Sequence, residues 1–223
     1  MSDKKAGNDS RGFRGMLRLG ITLAIYSAAA CVGLAFVYAG TAKIIAQRQL
    51  ADQEAALREL FPDADSFRAV ADIVIPDPLP GSPKVSIDGE EGNPENTGAF
   101  AALKNGRAIG VALRTSRFSY GGAIKLLVGV DTDGRISGVK ILEHSDTPGL
   151  GANAASPTYY VDRAKGIHFY DQFAGKMAGD PFVPKQDVIA ITAATVTSQA
   201  VAASVKAAGE AASAWFASQG GTR

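Results

Sequence analysis

The sequence predicts an α+β fold, in which one N-terminal transmembrane helix is followed by a domain of antiparallel sheet and packed helices. Three observations predict it. No charged residue occurs from 19 to 42. Apolar runs of strand length alternate with Asn-Gly and Asp-Gly turn signals from 97 to 139. An Ala-rich run from 200 to 218 has its larger apolar residues at helical spacing. With 223 residues, the chain is long enough for one good-sized domain plus additional segments.

Composition argues against two classes of site. The net charge is +1, and basic residues do not cluster outside the N-terminus, so nucleic acid is not expected as a partner. The single cysteine, Cys31, allows neither an internal disulfide nor a cysteine metal site. The two histidines, His144 and His168, lie far apart in the sequence, so we expect no metal centre.

The N-terminal segment is predicted to be a retained membrane anchor. Residues 19–42 are two dozen uncharged residues, and about 20 are needed to cross a bilayer. A cleaved signal peptide would have a shorter apolar core of about 7–15 residues. A lipidated Cys31 is the other alternative, but apolar sequence continues well past it, so we interpret Cys31 as a small buried residue of the span.

Charge predicts the orientation of this anchor. Residues 1–18 contain five basic residues, whereas only Lys43 and Arg48 follow closely after the span. Because cytoplasmic flanks are enriched in Lys and Arg, residues 1–18 are predicted to be a cytoplasmic N-terminus. The chain is then single-pass in the cell inner (cytoplasmic) membrane, with its remainder periplasmic or extracellular. The five residues are Lys4, Lys5, Arg11, Arg14 and Arg18.

Four further segments follow the anchor. Good helix formers predict a helical stalk over 43–61, which Pro62 ends. Residues 62–96 are predicted to be a loop-rich entry segment, in which Ile73–Ile75 and Val85–Ile87 are candidate short strands. A domain follows over 97–218, and 219–223 form a tail.

Within the domain, the sequence predicts four strands and two helical regions. Asn105-Gly106 and the turn from Asp131 to Gly134 separate pairs of strands. The region Pro157–Ala178 is predicted to be helical at its end, with His168 packed there and an apolar face formed by Phe169, Tyr170 and Phe173. The second helix is Ala200–Ser218. The predicted strands are Gly98–Lys104, Ala108–Thr115, Ile124–Val130 and Ile136–Leu142.

Three segments are candidates for a site, and each also has a purely structural interpretation. Tyr120-Gly121-Gly122 allows close backbone approach, or is a plain loop or bulge. The loop 143–151 contains Pro-Gly and a second glycine, so it can offer backbone N–H groups to a ligand. His144 in this loop could be a base or ligand, although a surface histidine in a loop more often has no chemical role.

The third segment, Ile189–Gln199, contains three threonines and a serine within seven residues. Its structural interpretation is a strand, with Ile189 and Ile191 facing one way, that turns into a helix capped by a hydroxyl residue. Alternatively, one hydroxyl is exposed at this junction, where free N–H groups and the helix dipole favour a phosphate.

Taken in order with the anchor, these segments resemble a known family. Ser119-Tyr120-Gly121-Gly122, the Thr147–Gly151 loop with its Thr-Pro-Gly-Leu-Gly sequence, and Thr192-Ala-Ala-Thr-Val-Thr-Ser198 resemble the RnfG family, the FMN-binding subunits of the Rnf complex. That complex is the membrane-bound, ion-translocating ferredoxin:NAD oxidoreductase. The related NqrC proteins of the sodium-translocating NADH:quinone reductase share the domain.

The resemblance implies a covalently attached FMN. In the family, the flavin phosphate is esterified by the last threonine of a motif close to Asp-x-x-(Ser/Thr)-Gly-Ala-Thr, which is Thr195 here, with Thr192 as the earlier hydroxyl. This chain departs from the motif at Ile189 and Ala193, and the nearest carboxylate, Asp187, is displaced by two residues. The ring is then expected near Tyr120, Gly121, Thr147, Leu150 and Gly151. No catalytic or metal-binding residue is expected.

The implied function is an electron relay without independent substrate turnover, since a flavin supplies the redox chemistry and the protein its orientation. The implied partners are the other membrane subunits of the complex, the lipid bilayer, and a flavin transferase that uses FAD and magnesium. Two alternatives stay open. One is the equivalent flavin subunit of the NADH:quinone reductase. The other is a membrane-anchored extracytoplasmic binding or assembly module without a redox cofactor.

Overall fold

A computed structural model describes residues 6–71, 73–75, 86–87 and 98–220. The chain divides into two units, Met1–Asp52 and Gln53–Arg223. Helix α1 is Ala6–Leu60, and within it Gly15–Ala42 is long and apolar enough to cross a membrane, with a mean hydropathy of 2.0. Leu19 and Phe36 in this segment are 73% and 77% exposed, which suits side chains that face lipid. Cys31 is exposed as well, so its prediction as a buried residue is wrong for the chain by itself.

In the second unit, the described residues form a six-stranded antiparallel sheet. Its order is β1-β3-β4-β5-β6, and β2 pairs with β4 beyond β3. The predicted hairpin turn is confirmed, because Asn105 and Gly106 have φ values of 51° and 76°, as a two-residue turn between strands requires. The strands are β1 (Ser66–Ala69), β2 (Ser86–Ile87), β3 (Ala99–Lys104), β4 (Arg107–Phe118), β5 (Ala123–Asp131) and β6 (Ile136–Glu143).

One face of the sheet is covered by helix α2 (Thr195–Gly220). Alanines let this helix lie close to the strands, and Val201, Val205 and Trp215 add apolar bulk to the same core. Val111 and Leu113 of β4 face it from the sheet and are fully buried. The predicted C-terminal helix is therefore confirmed, and it begins five residues earlier than expected.

The opposite face is covered by the last turns of α1, where Leu60 and Phe61 pack on three glycines. A Cβ atom built on Gly110 would collide with the Phe61 ring, and one on Gly129 would lie 3.2 Å from it. A Cβ atom on Gly138 would lie 2.8 Å from Leu60 Cδ2. Three neighbouring strands thus leave a hollow that only glycine permits, and two apolar side chains fill it.

Two predictions in the entry segment need correction. The sequence does not predict β1, although this strand pairs with β3 along its whole length. Ile73–Ile75 is not a strand; Ile73 instead contributes a buried side chain to the α2-side core. Of the candidate strand Val85–Ile87, Ser86 and Ile87 pair with β4, and Val85 lies outside the described residues.

The prediction of helix near the end of Pro157–Ala178 is wrong. The described chain instead has a hairpin of β7 (Tyr160–Asp162) and β8 (Ile167–His168), followed by a 3₁₀ helix of three residues, Asp171–Phe173. Gly166 and Gly175 adopt positive φ, and this conformation interrupts a helix. The apolar spacing has another cause, because Phe169 and Phe173 are buried in edge-to-face contact in the core.

His168 does not pack on a helix either. Its ring stacks between those of Tyr160 and Tyr170, with centroids 4.3 Å and 5.4 Å away, and its Nδ1 lies 3.1 Å from the Tyr159 carbonyl oxygen. Burial and the Asp171 carboxylate raise the pKa of Tyr170. His168 therefore belongs to an aromatic stack on the β7–β8 hairpin.

Candidate functional site

The three candidate segments meet where β4 ends and β5 begins. Ser119 is the first residue of the link between these strands. Its Oγ lies 2.7 Å from Asp146 Oδ2 and 3.1 Å from Thr197 Oγ1. These partners are 27 and 78 residues away along the chain. One serine hydroxyl thus joins the Tyr120–Gly122 segment, the 143–151 loop and the start of α2.

The carboxylate of Asp146 is the centre of this contact. Asp146 is only 6% exposed, and its Oδ1 accepts a hydrogen bond of 2.7 Å from the Gly121 N–H. Both carboxylate oxygens therefore have a donor, which is what a buried carboxylate requires. We call Ser119, Gly121, Asp146, Gly151 and Thr197 the Asp146 cluster.

Two glycines make the Asp146 cluster possible. A Cβ atom on Gly151 would lie 2.6 Å from Thr197 Oγ1 and 2.7 Å from Asp146 Cγ. A Cβ atom on Gly121 would collide with the Ser145 carbonyl oxygen and lie 2.7 Å from Asp146 Cα. Because real Cβ contacts are not this short, Gly121 and Gly151 are needed for close approach, as the sequence predicted for Gly121.

The loop beside Gly151 is a compact turn. The carbonyl oxygen of Thr147 accepts hydrogen bonds from the N–H groups of Leu150 and Ala152, at 3.1 Å and 3.2 Å. Gly149 adopts a φ of 76°, and Gly151 starts a 3₁₀ helix that packs on α2. The loop therefore leaves the Thr147 side chain exposed and Leu150 42% exposed beside the cluster.

The threonine-rich segment is a turn followed by a helix, not a strand followed by a helix. Ile191 is 1% exposed and Ile189 is 46% exposed, so the prediction that they face one way is wrong. The reason lies in their backbone partners. The Gln172 side chain accepts a hydrogen bond from the Ile189 N–H at 2.7 Å and donates one to its carbonyl oxygen at 3.1 Å.

Ser198 fixes the end of this turn. Its Oγ accepts a hydrogen bond from the Ile191 N–H and donates one to the Ala194 carbonyl oxygen, both 2.9 Å. Between them, Ala193 adopts a φ of 59°. A left-handed conformation costs a residue with a Cβ atom about 1–2 kcal/mol, and glycine adopts it freely. The turn thus has a backbone conformation suited to the glycine of the family motif.

Burial separates the four hydroxyl residues into two pairs. Thr197 and Ser198 are 1% and 0% exposed, and both are hydrogen-bonded within the fold. Thr192 and Thr195 are exposed. Both exposed threonines line one cleft of about 530 Å³, together with residues 185–191 and Ala193.

This cleft has the features that a phosphate requires. Thr195 is the first residue of a 26-residue helix with no acidic residue in its first turn. The first N–H groups of a helix have no acceptor within it, and the helix dipole attracts anions there. Lys185 lines the same cleft. An esterified or bound phosphate therefore fits the residues present.

The displaced carboxylate Asp187 has a structural partner set. Its oxygens accept hydrogen bonds from the N–H groups of Val183 (2.6 Å) and Phe182 (3.0 Å), and Lys176 Nζ lies 3.5 Å away. Burial by itself would raise the pKa of Asp187, but the two N–H donors and Lys176 outweigh it, and the pKa lies below its ordinary value of 3.8. Asp187 therefore fixes the loop that forms one wall of the cleft.

The structure also shows which residues the sequence missed. Ser119, Asp146 and Thr197 were not predicted as site residues, although each lies in a predicted segment. Tyr120, by contrast, was predicted and is 79% exposed. Their hydroxyl and carboxyl groups gave a signal of composition, but their proximity across up to 78 residues gave none. His144 is exposed and lines a separate cleft of about 470 Å³ with Lys125 and Glu143.

Comparison with known proteins assigns the family. Residues 8–60 match the model of the RnfG N-terminal region, and residues 119–210 match the model of an FMN-binding domain. A relative from Acetobacterium woodii is named as the corresponding subunit of a Na⁺-translocating ferredoxin:NAD⁺ oxidoreductase complex. It is 30% identical over 200 residues, which cover 85% of this chain and 88% of the relative. This chain belongs to the RnfG family.

Another RnfG relative, from Clostridium ljungdahlii, belongs by its name to a proton-translocating complex. It is 32% identical over 182 residues, covering 79% of this chain and 80% of the relative. A crystal structure of Shewanella oneidensis NqrC aligns with a TM-score of 0.44 at 22% identity, covering 56% of this chain and 61% of that one. The FMN-binding match begins at Ser119 and includes the whole Asp146 cluster and Thr195.

Proposed function

We propose that this chain is the electron-relay subunit of an Rnf-type ion-translocating ferredoxin:NAD oxidoreductase, with FMN attached covalently to Thr195 through a phosphoester. The observation that supports it most directly is the position of Thr195. Its hydroxyl is exposed at the start of α2, in the cleft suited to a phosphate, within a match to an FMN-binding domain.

Attachment follows from the chemistry of this hydroxyl. A flavin transferase with FAD and magnesium supplies the flavin. The Thr195 Oγ attacks the phosphorus next to the flavin, the P–O bond to AMP breaks, and the hydroxyl proton is released. The free N–H groups and dipole at the start of α2 stabilise the negative phosphate, typically by about 0.3–1 kcal/mol for an exposed charge. Lys185 adds a positive charge on the cleft wall.

The residues around the ring bind and orient it. Tyr120, Thr147 and Leu150 have exposed side chains, and each is adjacent in sequence to a residue of the Asp146 cluster. Gly121 and Gly151 allow the backbone to lie close to the ring. The flavin, when attached, supplies reversible electron transfer, so this chain needs no substrate pocket of its own.

In-gel flavin fluorescence tests the attachment. The full chain is co-expressed with its flavin transferase, denatured and viewed on a gel under ultraviolet light. We expect a fluorescent band for the wild type, for Thr195→Ser and for the matched control Thr192→Ala, and a dark band for Thr195→Ala. A fluorescent Thr195→Ala would move the ester, and Thr192 is then the exposed hydroxyl that remains in the cleft. A dark wild type beside an active transferase would favour a binding or assembly module without a redox cofactor.

The partners follow from the same proposal. The N-terminal helix anchors the chain in the inner membrane, the basic N-terminus stays in the cytoplasm, and the flavin domain lies outside, where it exchanges electrons with the other membrane subunits of the complex. Protease added to spheroplasts tests this orientation. We expect the domain to be digested while a tag at Met1 stays protected; digestion of the tag with protection of the domain would reverse the orientation.

A further inference from the structure

We propose that Asp146 positions the flavin site and that its buried negative charge lowers the midpoint potential of the flavin. This inference rests on the proposed function and concerns a residue with no role in flavin attachment. It would explain why a buried acidic group lies at the meeting point of the three segments.

Geometry makes Asp146 the residue on which the site depends. Its Oδ2 holds Ser119 and its Oδ1 holds the Gly121 N–H, each at 2.7 Å. Its Cβ and Cγ lie against Gly151, so that not even a methyl group fits between them. Asp146 therefore sets the distance between the Tyr120–Gly122 segment and the loop that follows it in sequence, Thr147–Gly151.

The charge of Asp146 is held in place and is largely shielded from water. Both oxygens accept hydrogen bonds, as an ionised carboxylate does, and both donors are neutral groups. Arg117 lies two residues before Ser119, but the structure records no ion pair between it and Asp146, and burial lowers its pKa. Within the described residues, the negative charge of Asp146 is thus balanced by dipoles rather than by a cation.

A fixed charge in a poorly solvated place acts on neighbouring groups more strongly than a surface charge. Asp146 precedes Thr147, the first residue of the loop proposed to lie at the ring. A negative charge there opposes the arrival of an electron on the flavin. The midpoint potential is therefore lower than it would be with a neutral residue at 146.

The substitution Asp146→Asn removes the charge and keeps the shape. The Asn oxygen can accept from the Gly121 N–H, and its NH₂ group can donate to Ser119 Oγ. The matched control is Asp133→Asn, which makes the same charge change on an exposed turn at the opposite end of β5. A third variant, Ser119→Ala, keeps the charge and removes one of the two donors that stabilise it.

The experiment is a spectroelectrochemical titration of the flavinylated full chain in detergent. We expect a more positive midpoint potential for Asp146→Asn, no shift for Asp133→Asn, and a more negative potential for Ser119→Ala, because its carboxylate charge is less compensated. A structural disturbance alone would not shift the two cluster variants in opposite directions.

Two results would overturn the inference. One is a flavinylated Asp146→Asn whose potential equals that of Asp133→Asn. The other, which decides the matter if Asp146→Asn does not fold, is a Ser119→Ala whose potential is unchanged or more positive. A wild type without flavin would instead refute the proposed function, so the two failures are distinguishable.

Discussion

Glycines allow close approach in two regions of this domain, with different consequences. On the α1 side of the sheet, Gly110, Gly129 and Gly138 admit the apolar side chains of Leu60 and Phe61. At the end of β4, Gly121 and Gly151 instead admit the polar groups around Asp146. We call the first region the Phe61 hollow.

The difference separates stability from site geometry. Apolar packing in the Phe61 hollow contributes in proportion to the area it removes from water. The Asp146 cluster buries a carboxylate, whose hydrogen bonds mainly offset the cost of burying it. We therefore expect changes in the hollow to act on the free energy of unfolding, and changes in the cluster to act mainly on flavin attachment.

The largest effect is expected for Phe61→Ala. Removing a ring that is 5% exposed leaves a cavity above glycines that have no side chains to fill it. We expect a loss of about 3–5 kcal/mol in the free energy of unfolding, measured in denaturant by the fluorescence of Trp215, the single tryptophan. Flavin content per folded molecule should stay at the wild-type level; a loss of flavin in molecules that remain folded would contradict the separation.

Gly151→Ala is the corresponding change in the cluster. The added methyl group overlaps Thr197 and Asp146, and such overpacking costs about 1–3 kcal/mol. We expect in-gel flavin fluorescence to fall more than the folded fraction does. The matched control is Gly179→Ala, where an added Cβ meets nothing within 4 Å. Equal flavin yields for the two variants would show that the cluster does not set the geometry of the site.

Ala193→Gly should act in the opposite direction. Glycine relieves the left-handed strain at a φ of 59°, but it also loses more backbone entropy on folding, so we expect a net gain of about 0.5 kcal/mol. Ala190→Gly, at a position without positive φ, should give no gain. A destabilised Ala193→Gly would mean that the Ala193 methyl group contributes packing that outweighs the strain.

The smallest effect concerns acid. The folded pKa of Asp187 lies below 3.8, so the stability it contributes is present above its unfolded pKa and is lost as the pH falls through the folded one. The advantage of the wild type over Asp187→Asn should be complete above about pH 5 and fall away toward about pH 2. Unfolding midpoints across this range measure it. A constant difference at all pH values would assign the effect of Asp187 to shape rather than charge.

The sequence predicts local features of this fold well and long-range ones poorly. The four main strands are confirmed because the Asn105-Gly106 turn and the alternation along β4 are signals within a few residues. The region around Phe169 and Phe173 was predicted as helix because its apolar spacing is helical, whereas Gly166 and Gly175 force turns. Helical spacing alone does not distinguish the two cases.

The site shows the same limit. Thr195 was found through a motif of seven consecutive residues, and its exposure agrees with that prediction. The role of Ser119 depends on a partner 78 residues away, and no spacing rule connects Ser119 with Thr197. Ile189 was expected in a strand because it is β-branched, but the side chain of Gln172, 17 residues earlier, satisfies its backbone.

The exposure of Thr195 has a consequence for the order of biogenesis. Ser198 holds the turn before α2 through Ile191 and Ala194, so the Thr195 hydroxyl is presented on the surface of the finished domain. Maturation therefore does not need an unfolded chain. The domain can complete its fold first and receive its cofactor afterwards, which would let the maturing enzyme distinguish correctly folded subunits from incomplete ones.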